Sequence, residues 1–383
     1  MIIAIDGYEA NVKNRVGIGR YAYEIIRNIY GQLEKSQGGV QVRVYVPHNP
    51  LSDMPKETSW WHYQVRGPSK LWTYIGLPLA LRIDHPAADV LFSPTHYVPR
   101  FTNIPKVMAI MDLSYVAYPW MFRKRDLHKL VHWTKYGATH AAAICTISAF
   151  SKNAILRAYG VPAGSVVVTY PGFSMSNTKV TKDDLEHIVK KYHVSRYFIL
   201  SVGTIQPRKN YERLIEAYAG FLTSNKQKFG EIQLVIIGKK GWLYEKILES
   251  PKRYGVESKV KFLHSVPDSD LPYFYQGALC FALPSLYEGF GLPVLEAMAY
   301  KCPVVVSNVS SLPEIAGSAG VYVDPKSVES ITHGLLSAVR QRNLKQGASR
   351  IQKGFDRVKL FSWDKAAAQT LEILKDAGGK THI

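Results

Sequence analysis

Short apolar runs alternate with longer stretches of helical periodicity along almost the whole chain. In the first half, apolar runs with the length of buried strands lie at residues 1–5, 41–46, 89–93, 106–110, 142–147 and 165–169. Helical patterns lie between them, for example at residues 18–33, 122–140 and 149–159. A second series of strand-like runs follows at residues 198–202, 233–237, 260–263, 278–282, 303–306 and 321–323. This alternation predicts an α/β fold with parallel sheets and helices on their faces.

The length of 383 residues exceeds one ordinary domain and suits two. A polar stretch at 174–184 separates the two series of strands and is interpreted as a linker. We therefore predict two Rossmann-like domains, at residues 1–175 and 176–361, each with its ligands at the carboxyl ends of the strands. A last helical pattern, at 362–377, lies in a C-terminal segment of residues 362–383.

The composition is strongly basic. Lysine and arginine number 48 against 30 acidic residues, a net charge of +18 that attracts anionic partners. No nucleic-acid-binding motif accompanies this charge, so nucleic acid is not predicted as a partner. Aromatic and cationic residues are interleaved at 60–63, 70–74 and 120–125, and residues 123–140 fit an amphipathic helix with cations beside its apolar side. We predict an anionic membrane surface as a partner; the alternative is a helix that packs on its own sheet and shows a solvated basic face.

The N-terminal residues Met1–Asp6 are typical of a short strand rather than a signal peptide. No apolar run approaches the length of a membrane span. The three cysteines, Cys145, Cys280 and Cys302, stand apart in apolar surroundings, which predicts buried core residues of a reducing compartment. We therefore predict a cytoplasmic protein, peripheral on the inner face of the membrane.

The most informative motif is Glu288-Gly289-Phe290-Gly291-Leu292-Pro293-Val294-Leu295-Glu296, in which two glutamates bracket a glycine turn and a helix start. A helix N-terminus behind a glycine turn presents free N–H groups and a positive partial charge, which suits a phosphate. The two carboxylates are acceptor-only groups suited to hydroxyls of a sugar and a ribose. The alternative is structural: Glu288 complements the helix dipole and Glu296 is an ordinary helix-surface residue.

A second candidate loop, Val202-Gly203-Thr204-Ile205-Gln206-Pro207-Arg208-Lys209-Asn210, leaves the first strand of the second domain. Its adjacent arginine and lysine suit a diphosphate, the first as a fork and the second as a point charge. Cations at that place also stabilise the negative charge that a departing nucleoside diphosphate gains. The alternative is two solvated cations in front of a helix.

Near the N-terminus, Gly17-Ile18-Gly19 follows the first strand and opens a helix. The spacing is a weak dinucleotide signal, because Ala22 stands where the third glycine is expected and no acidic residue follows at the ribose-binding distance.

Several blocks of sequence together match one known family. They are Gly17-Ile18-Gly19-Arg20-Tyr21, Asp112-Leu113-Ser114, Ser148-Ala149-Phe150-Ser151-Lys152, the loop at 202–210, and Pro284-Ser285-Leu286-Tyr287 with the glutamate motif that follows it. In this order, and on to Phe361-Ser362-Trp363, the chain resembles the retaining GT-B glycosyltransferases of family 4, specifically their mannosyltransferase-like branch. The resemblance implies two Rossmann-like domains that face across a cleft, with the last segment crossing back onto the N-terminal domain.

The resemblance also implies a set of site residues. It gives catalytic roles to Glu288, which would hold sugar hydroxyls, and to Lys209 and Arg208, which would hold the diphosphate. The donor-binding residues that it implies are Gly17, Gly19, Gly203, Thr204, Arg208, Lys209, Glu288, Gly289, Phe290, Gly291, Leu292 and Glu296. Many relatives carry an arginine directly after the strand glycine, where this chain has Thr204, as its branch does.

One position departs from the family. Met111 replaces a histidine that usually lies near the donor sugar, and methionine offers no comparable hydrogen bond. Either the donor sugar lacks a 6-hydroxyl, or another group such as His96 covers it, or activity is reduced. The resemblance implies that Met111, Asp112 and His96 lie either on the acceptor side or close to the sugar.

The predicted function is transfer of a hexose, with retention, from a nucleotide diphosphate sugar to a hydroxyl of a glycan, best guessed as mannose from GDP-mannose to a lipid-linked glycan. Alternatives are a UDP-hexose or a dTDP- or GDP-6-deoxyhexose donor, a phosphorylase or epimerase, and a catalytically silent binding subunit. No cofactor or metal is predicted: Asp268-Ser269-Asp270 has the form of a metal motif, but Asp268 is interpreted as the N-cap of the following helix.

Overall fold

The computed structural model describes residues 1–15, 17–36, 39–173, 180–224, 226–342 and 344–379. The chain divides into two compact units. The first unit comprises Met1–Pro119, Lys124–Gly172 and Phe361–Ile383, and the second comprises Trp120–Arg123 and Phe173–Leu360.

The first unit is an α/β layer structure around one sheet. Its strands are β1 (Ile2–Asp6), β2 (Gln41–Val46), β3 (Trp61–Val65), β4 (Val90–Ser93), β5 (Lys106–Ile110), β6 (Ala143–Thr146) and β7 (Val166–Val168). Its helices before the second unit are α1 (Ile18–Ser36), α2 (Leu77–Ile83), α3 (Ser114–Ala117), α4 (Lys124–His140) and α5 (Ala149–Tyr159), and a π-helical turn, Trp72–Gly76, leads into α2.

The sheet of the first unit has the order β3-β2-β1-β4-β5-β6-β7 with every pair parallel. From β1 the chain winds to one side, and from β4 it winds to the other. The carboxyl ends of β1 and β4 therefore form a topological switch point, where doubly wound sheets bind ligands.

The second unit repeats this plan. Its strands are β8 (Phe198–Val202), β9 (Gln233–Ile237), β10 (Val260–Leu263), β11 (Cys280–Leu283), β12 (Val304–Ser307) and β13 (Gly320–Val323). Its helices are α6 (Lys182–Tyr192), α7 (Tyr211–Ser224), α8 (Lys226–Phe229), α9 (Glu245–Arg253), α10 (Leu271–Gly277), α11 (Leu292–Ala299), α12 (Leu312–Ala316), α13 (Val328–Gln341) and α14 (Lys345–Val358). The parallel sheet has the order β10-β9-β8-β11-β12-β13, so its switch point lies between β8 and β11.

The last helix, α15 (Trp363–Gly379), belongs to the first unit. The ring of Trp363 lies 5.8 Å from that of Tyr21 on α1, and the Gln32 amide donates a 2.6 Å hydrogen bond to Asp364. The C-terminal helix thus covers α1 and buries its own apolar face there.

The predicted α/β fold with two parallel sheets is confirmed, and the predicted strand runs coincide with observed strands to within about two residues. Central strands such as β1, β4 and β12 are buried on both faces, as near-continuous apolar runs require in parallel sheets. The predicted burial of Cys145, Cys280 and Cys302 is confirmed. Residues 174–179 of the predicted linker lie outside the described residues, and residues 182–184 already belong to α6.

Two aromatic residues that were predicted at a membrane interface lie in the core instead. Trp61 is on β3, an edge strand that the sequence analysis missed, and it is fully buried against the ring of Tyr30. Trp72 is also buried, and its indole N–H donates a 2.8 Å hydrogen bond to Asp6. The interfacial interpretation of these two tryptophans is wrong, because apolar neighbours and a buried acceptor were available within the fold.

Candidate functional site

The candidate site lies at the carboxyl ends of β8 and β11, the switch point of the second unit. The chain leaves β8 through Gly203 and Thr204, and leaves β11 towards Glu288 and α11. Gly203 has a φ of +151°. A Cβ added to Gly238 would lie only 2.0 Å from the carbonyl oxygen of Gly203. Two backbone segments therefore meet here at a distance that only glycine permits.

The two candidate cations lie on a short 3₁₀ turn, Pro207–Lys209, that ends at Asn210 in the left-handed conformation with φ +62°. The Asn210 amide donates to the carbonyl oxygens of Pro284 at 2.9 Å and Pro325 at 2.7 Å. These bonds tie the loop after β8 to the segments that follow β11 and β13, and they hold the turn that carries the cations.

Glu288 forms ion pairs with both cations. Its Oε1 accepts from Lys209 Nζ at 2.6 Å and from the hydroxyl of Ser285 at 2.7 Å, and its Oε2 accepts from Arg208 Nη1 at 3.0 Å. Burial alone would raise the pKa of Glu288, but the charges of Lys209 and Arg208 lower it from 4.5 to about 2. The carboxylate is therefore ionised, and the three side chains together carry one net positive charge.

The glycine turn places the start of α11 beside this triad. Gly291, the N-cap, has φ +102°, and Pro293 stands in the first turn of the helix. The hydroxyl of Ser311 donates to the carbonyl oxygens of Glu288 and Phe290, both at 2.9 Å. A fixed helix N-terminus next to a net positive cluster suits a bound phosphate.

Glu296 lies one turn further along α11. It is 8% exposed, and its Oε2 accepts a hydrogen bond from the Tyr275 hydroxyl at 2.6 Å. The interpretation of Glu296 as an ordinary surface residue is therefore wrong. An acid is buried here beside a turn that suits phosphate.

The structure thus brings together, in one unit, the predicted donor-binding residues Gly203, Thr204, Arg208, Lys209, Glu288, Gly289, Phe290, Gly291, Leu292 and Glu296. The remaining two, Gly17 and Gly19, belong to the first unit, at the start of α1. A Cβ on Gly19 would lie 3.0 Å from the Glu9 carbonyl oxygen, so this turn packs closely on the segment that follows β1.

The residues predicted on the acceptor side or close to the sugar lie in the first unit, after β4 and β5. His96 is buried, and burial lowers its pKa, which the charge of Asp112 partly restores. His96 Nδ1 makes no hydrogen bond within the described part of the chain. Met111 is buried, and its carbonyl oxygen accepts from the Ser151 hydroxyl at 3.0 Å. The structure therefore places His96, Asp112 and Met111 near the same edge of the sheet.

Sequence reasoning missed four polar side chains that support the site: Ser285, Asn210, Tyr275 and Ser311. Ser285 and Asn210 stand inside the matched blocks, which was a usable signal. Tyr275 lies on α10, and nothing in the sequence places α10 beside α11.

The expectation of an N-cap at Asp268 is wrong. The helix α10 begins at Leu271 with Asp270 as its N-cap, and Asp270 instead accepts from Lys191 at 2.7 Å and Tyr192 at 2.6 Å. Among the described residues, no group of three or more histidine, cysteine, aspartate or glutamate side chains could hold a metal ion.

Comparison with known proteins adds independent findings. Residues 184–354 match the family model described as glycosyl transferases group 1. The chain is 28% identical to the O-antigen chain mannosyltransferase B of Escherichia coli over 374 residues, which covers 94% of this chain and 96% of that protein.

Solved structures show the same fold. WaaG, a glycosyltransferase involved in lipopolysaccharide biosynthesis, superposes with a TM-score of 0.70 at 16% identity, over 97% of this chain and 99% of its own. HepE of Anabaena, in complex with UDP-glucose, superposes with a TM-score of 0.73 at 18% identity, over 98% of this chain and 99% of its own. The two doubly wound units have the GT-B fold of these structures, and the family match and the mannosyltransferase relative together support a glycosyltransferase with mannosyltransferase-like relatives.

Proposed function

We propose that the chain is a retaining hexosyltransferase of family 4 that moves a hexose from a nucleotide diphosphate sugar to a hydroxyl of a glycan. The observation that carries the proposal is Glu288, buried between Lys209 and Arg208 at the switch point of the second unit. Such a group can bind an anion through its cations and a hydroxyl through its carboxylate at the same place.

The proposed roles follow from charge. Lys209 and Arg208 bind the diphosphate and stabilise the negative charge that it gains as the bond to the sugar breaks. Glu288 accepts hydrogen bonds from sugar hydroxyls, assisted by the amides of Gly289, Phe290, Gly291 and Leu292, while Glu296 accepts from the ribose. Gly203 and Thr204 let the backbone approach the donor.

Retention is proposed to occur on one face of the sugar. The bond between the anomeric carbon and the diphosphate oxygen breaks as the acceptor oxygen bonds to the same face. The acceptor proton passes to the departing phosphate oxygen, so no protein nucleophile and no metal are required. We propose the first unit as the acceptor side, with Gly17 and Gly19 near the phosphates and His96, Met111 and Asp112 near the sugar.

For the donor we propose GDP-mannose, and for the acceptor a lipid-linked glycan of the O-antigen kind. The support is the similarity to an O-antigen chain mannosyltransferase. A UDP-hexose remains the alternative, since HepE was solved with UDP-glucose. A dTDP- or GDP-6-deoxyhexose is a further alternative, because Met111 offers a 6-hydroxyl no strong hydrogen bond.

The test is release of nucleoside diphosphate from a panel of guanosine, uridine and thymidine sugars, with wild type and Glu288→Ala in parallel. We expect slow release from one donor and at least a 100-fold loss in the variant. Unchanged turnover in Glu288→Ala would remove the role of that residue. Release of sugar phosphate without a glycan product would indicate a phosphorylase, interconversion of the donor an epimerase, and binding without turnover across acceptors a silent subunit.

We also propose an anionic membrane surface as a partner, and we propose residues 71–83 together with α4 as the surface that binds it. Leu71, Ile75, Leu79 and Ile83 follow one another at four-residue spacing along the π-turn and α2, with exposed fractions from 43% to 63%. On the other side of the same segment, Trp72, Leu77 and Leu81 are buried in the core of the first unit. We call the four exposed residues the apolar stripe.

Cations accompany the apolar stripe. Arg82 is exposed on the same helix, and the Tyr74 ring contacts that of Trp133 on α4 edge-on, which places α4 alongside. The exposed side of α4 carries Lys124, Arg125, Lys129 and Lys135 against one exposed acid, Asp126. An apolar stripe beside a basic helix face fits a bilayer with anionic headgroups, and it supports a peripheral location on the inner, cytoplasmic face of a membrane. Within the described residues, no helix has the length and hydropathy to cross a bilayer.

Sedimentation with vesicles tests this partner. We expect binding to vesicles containing phosphatidylglycerol, weak binding to pure phosphatidylcholine, and at least a tenfold loss in Ile75→Ser/Leu79→Ser. The matched control is Leu344→Ser/Leu360→Ser, which removes two leucines outside the stripe that are more exposed than Ile75 and Leu79, and it should bind as wild type does. Equal binding of the stripe variant, or wild-type protein that stays in the supernatant, would contradict the proposal.

A further inference from the structure

Glu296 is held by a residue to which the proposed function gives no role. The hydroxyl of Tyr275 donates to Glu296 Oε2 at 2.6 Å, and both residues are more than nine-tenths buried. An O–H···O⁻ bond of this length is charge-assisted and stronger than a bond between neutral groups. The bond joins α10 to α11, two helices that are separated by β11 in the chain.

Tyr275 is itself rigidly placed. Its ring stacks on Tyr300 with centroids 6.0 Å apart and planes within 9° of parallel, and its centroid lies 5.7 Å from that of Phe281. The preceding residue, Phe274, is fully buried on another side of the short helix α10. Packing on several sides leaves the tyrosine few rotamers, so its hydroxyl is a fixed point.

A glutamate side chain has three torsions, and a hydrogen bond to a fixed hydroxyl restricts them before any ligand binds. Without it, binding a ligand through the carboxylate costs the ordering of those torsions at the moment of binding. With the tyrosine hydrogen bond, the carboxylate is oriented before the ligand binds. The position of the tyrosine then sets the direction in which the carboxylate can accept further hydrogen bonds. This is preorganisation of a binding group by a second residue.

We infer that Tyr275 is a positioning residue for the nucleoside: it orients the Glu296 carboxylate so that it accepts hydrogen bonds from the ribose hydroxyls of the donor. This inference rests on the proposed function, in which Glu296 binds the ribose. It goes beyond that proposal because it makes discrimination between ribose and deoxyribose depend on a residue outside the glycine turn and its helix.

The test uses Tyr275→Phe, which keeps the ring and removes only the hydroxyl. Binding of GDP and UDP to the full chain is measured by calorimetry, together with their 2′,3′-dideoxy analogues. We expect the variant to bind the better nucleoside diphosphate about 5- to 20-fold more weakly, in line with the loss of a hydrogen bond to a charged group. For the dideoxy analogue, the same substitution should change affinity by less than about twofold, because no ribose hydroxyl is present to report the carboxylate's orientation.

The matched control is Tyr218→Phe. Tyr218 is also a buried tyrosine of the second unit, and its hydroxyl donates at 2.6 Å to the carbonyl oxygen of Ile232 rather than to a carboxylate. That variant should bind all four nucleotides as wild type does, even if its thermal stability falls.

The outcomes separate the two proposals. If wild type binds neither GDP nor UDP, the proposed donor site fails and this inference fails with it. If wild type binds, two results would overturn the positioning role and leave the donor site standing. In one, Tyr275→Phe weakens binding of the ribose and dideoxy nucleotides equally; in the other, it weakens binding of neither. A selective loss for the ribose form supports both.

Discussion

The ammonium nitrogen of Lys209 lies 2.6 Å from Oε1 of Glu288, and the two side chains are 7% and 6% exposed. They come from different loops, one after β8 and one after β11, that meet at the switch point of the second sheet. Desolvation makes a buried ion pair a weak source of stability, and an apolar replacement is often as stable. A buried pair at a switch point is therefore better explained by what it binds than by what it stabilises.

Replacing Lys209 with methionine should destabilise the protein, because Glu288 would keep its burial and lose its nearest cation. We expect a loss of about 3 kcal/mol in the free energy of unfolding, measured with urea. The double variant Lys209→Met/Glu288→Gln should recover at least half of that loss, since a neutral amide then replaces the buried carboxylate that had lost its nearest cation. Donor turnover should stay at or below 1% of wild type in both.

The control for this cycle is Lys359→Met, which removes one partner of an exposed ion pair with Asp356. Its unfolding transition should coincide with that of wild type. If the double variant regained turnover along with stability, the pair would be a structural feature and the diphosphate would bind elsewhere.

Stability should depend on Glu288 at acid pH. Its folded-state pKa of about 2 lies below the ordinary value of 4.5, so the stability that its ionisation contributes is present above pH 4.5 and is lost as pH falls towards 2. The contribution at neutral pH is up to about 3 kcal/mol. In urea unfolding between pH 6 and 3, wild type should lose stability more steeply than Glu288→Gln. Parallel curves for the two proteins would contradict the low pKa.

Asp6 should behave in the opposite way. Burial raises its pKa from 3.8 to about 6, against the hydrogen bond from Trp72, so the folded state holds its proton more tightly than the unfolded chain. Stability is then lost as pH rises from about 4 to 6. Asp6→Asn, whose amide oxygen can still accept from Trp72, should raise the unfolding free energy at pH 8 by about 1–3 kcal/mol.

At pH 4 the difference in unfolding free energy between Asp6→Asn and wild type should be much smaller, because residue 6 is then neutral in the folded state of both proteins. The check is the pair of urea transitions at the two pH values. A variant that is less stable than wild type at pH 8 would show that the ionised carboxylate has a favourable partner in the fold.

Gly238→Ala should disrupt the loop after β8, at residues 203–210. The added Cβ would lie 2.0 Å from the Gly203 carbonyl oxygen, a backbone atom that cannot rotate away. We expect more than about 3 kcal/mol of destabilisation, as for severe overpacking, and loss of nucleoside diphosphate binding. Gly31→Ala, on the interior of α1 with no atom within 4 Å of the new Cβ, is the control. It should stabilise the protein by about 0.5–1 kcal/mol, because alanine is the better helix former.

Some strands could be predicted from the sequence, and others could not. The strands β1, β8 and β12 were predictable because a strand buried on both faces is apolar throughout and needs no partner to be recognised. The edge strand β3 was missed, because Trp60-Trp61-His62-Tyr63 also has the composition of a membrane interface. Only the pairing of Val42 with Trp61 decides that this tryptophan belongs to the core.

The candidate site shows the same division. The glycine turn before α11 and the two cations after β8 are local features, fixed by residue types at neighbouring positions, and the sequence alone determined them. Which charges pair was not local: Glu288 could have faced solvent or a helix end, and only the parallel pairing of β8 with β11 brings it to Lys209 and Arg208.

The sequence by itself therefore determined the α/β class, the two sheets and the residue types in the loops after β8 and β11, because periodicity and turn chemistry depend on neighbours in the chain. The tertiary structure decided the burial of Glu296, the inward direction of Trp61 and Trp72, and the contact of Tyr275 with Glu296. Those features depend on which distant segments pack together. Packing free energy is a property of the whole fold, so it cannot be predicted from any short segment of the sequence.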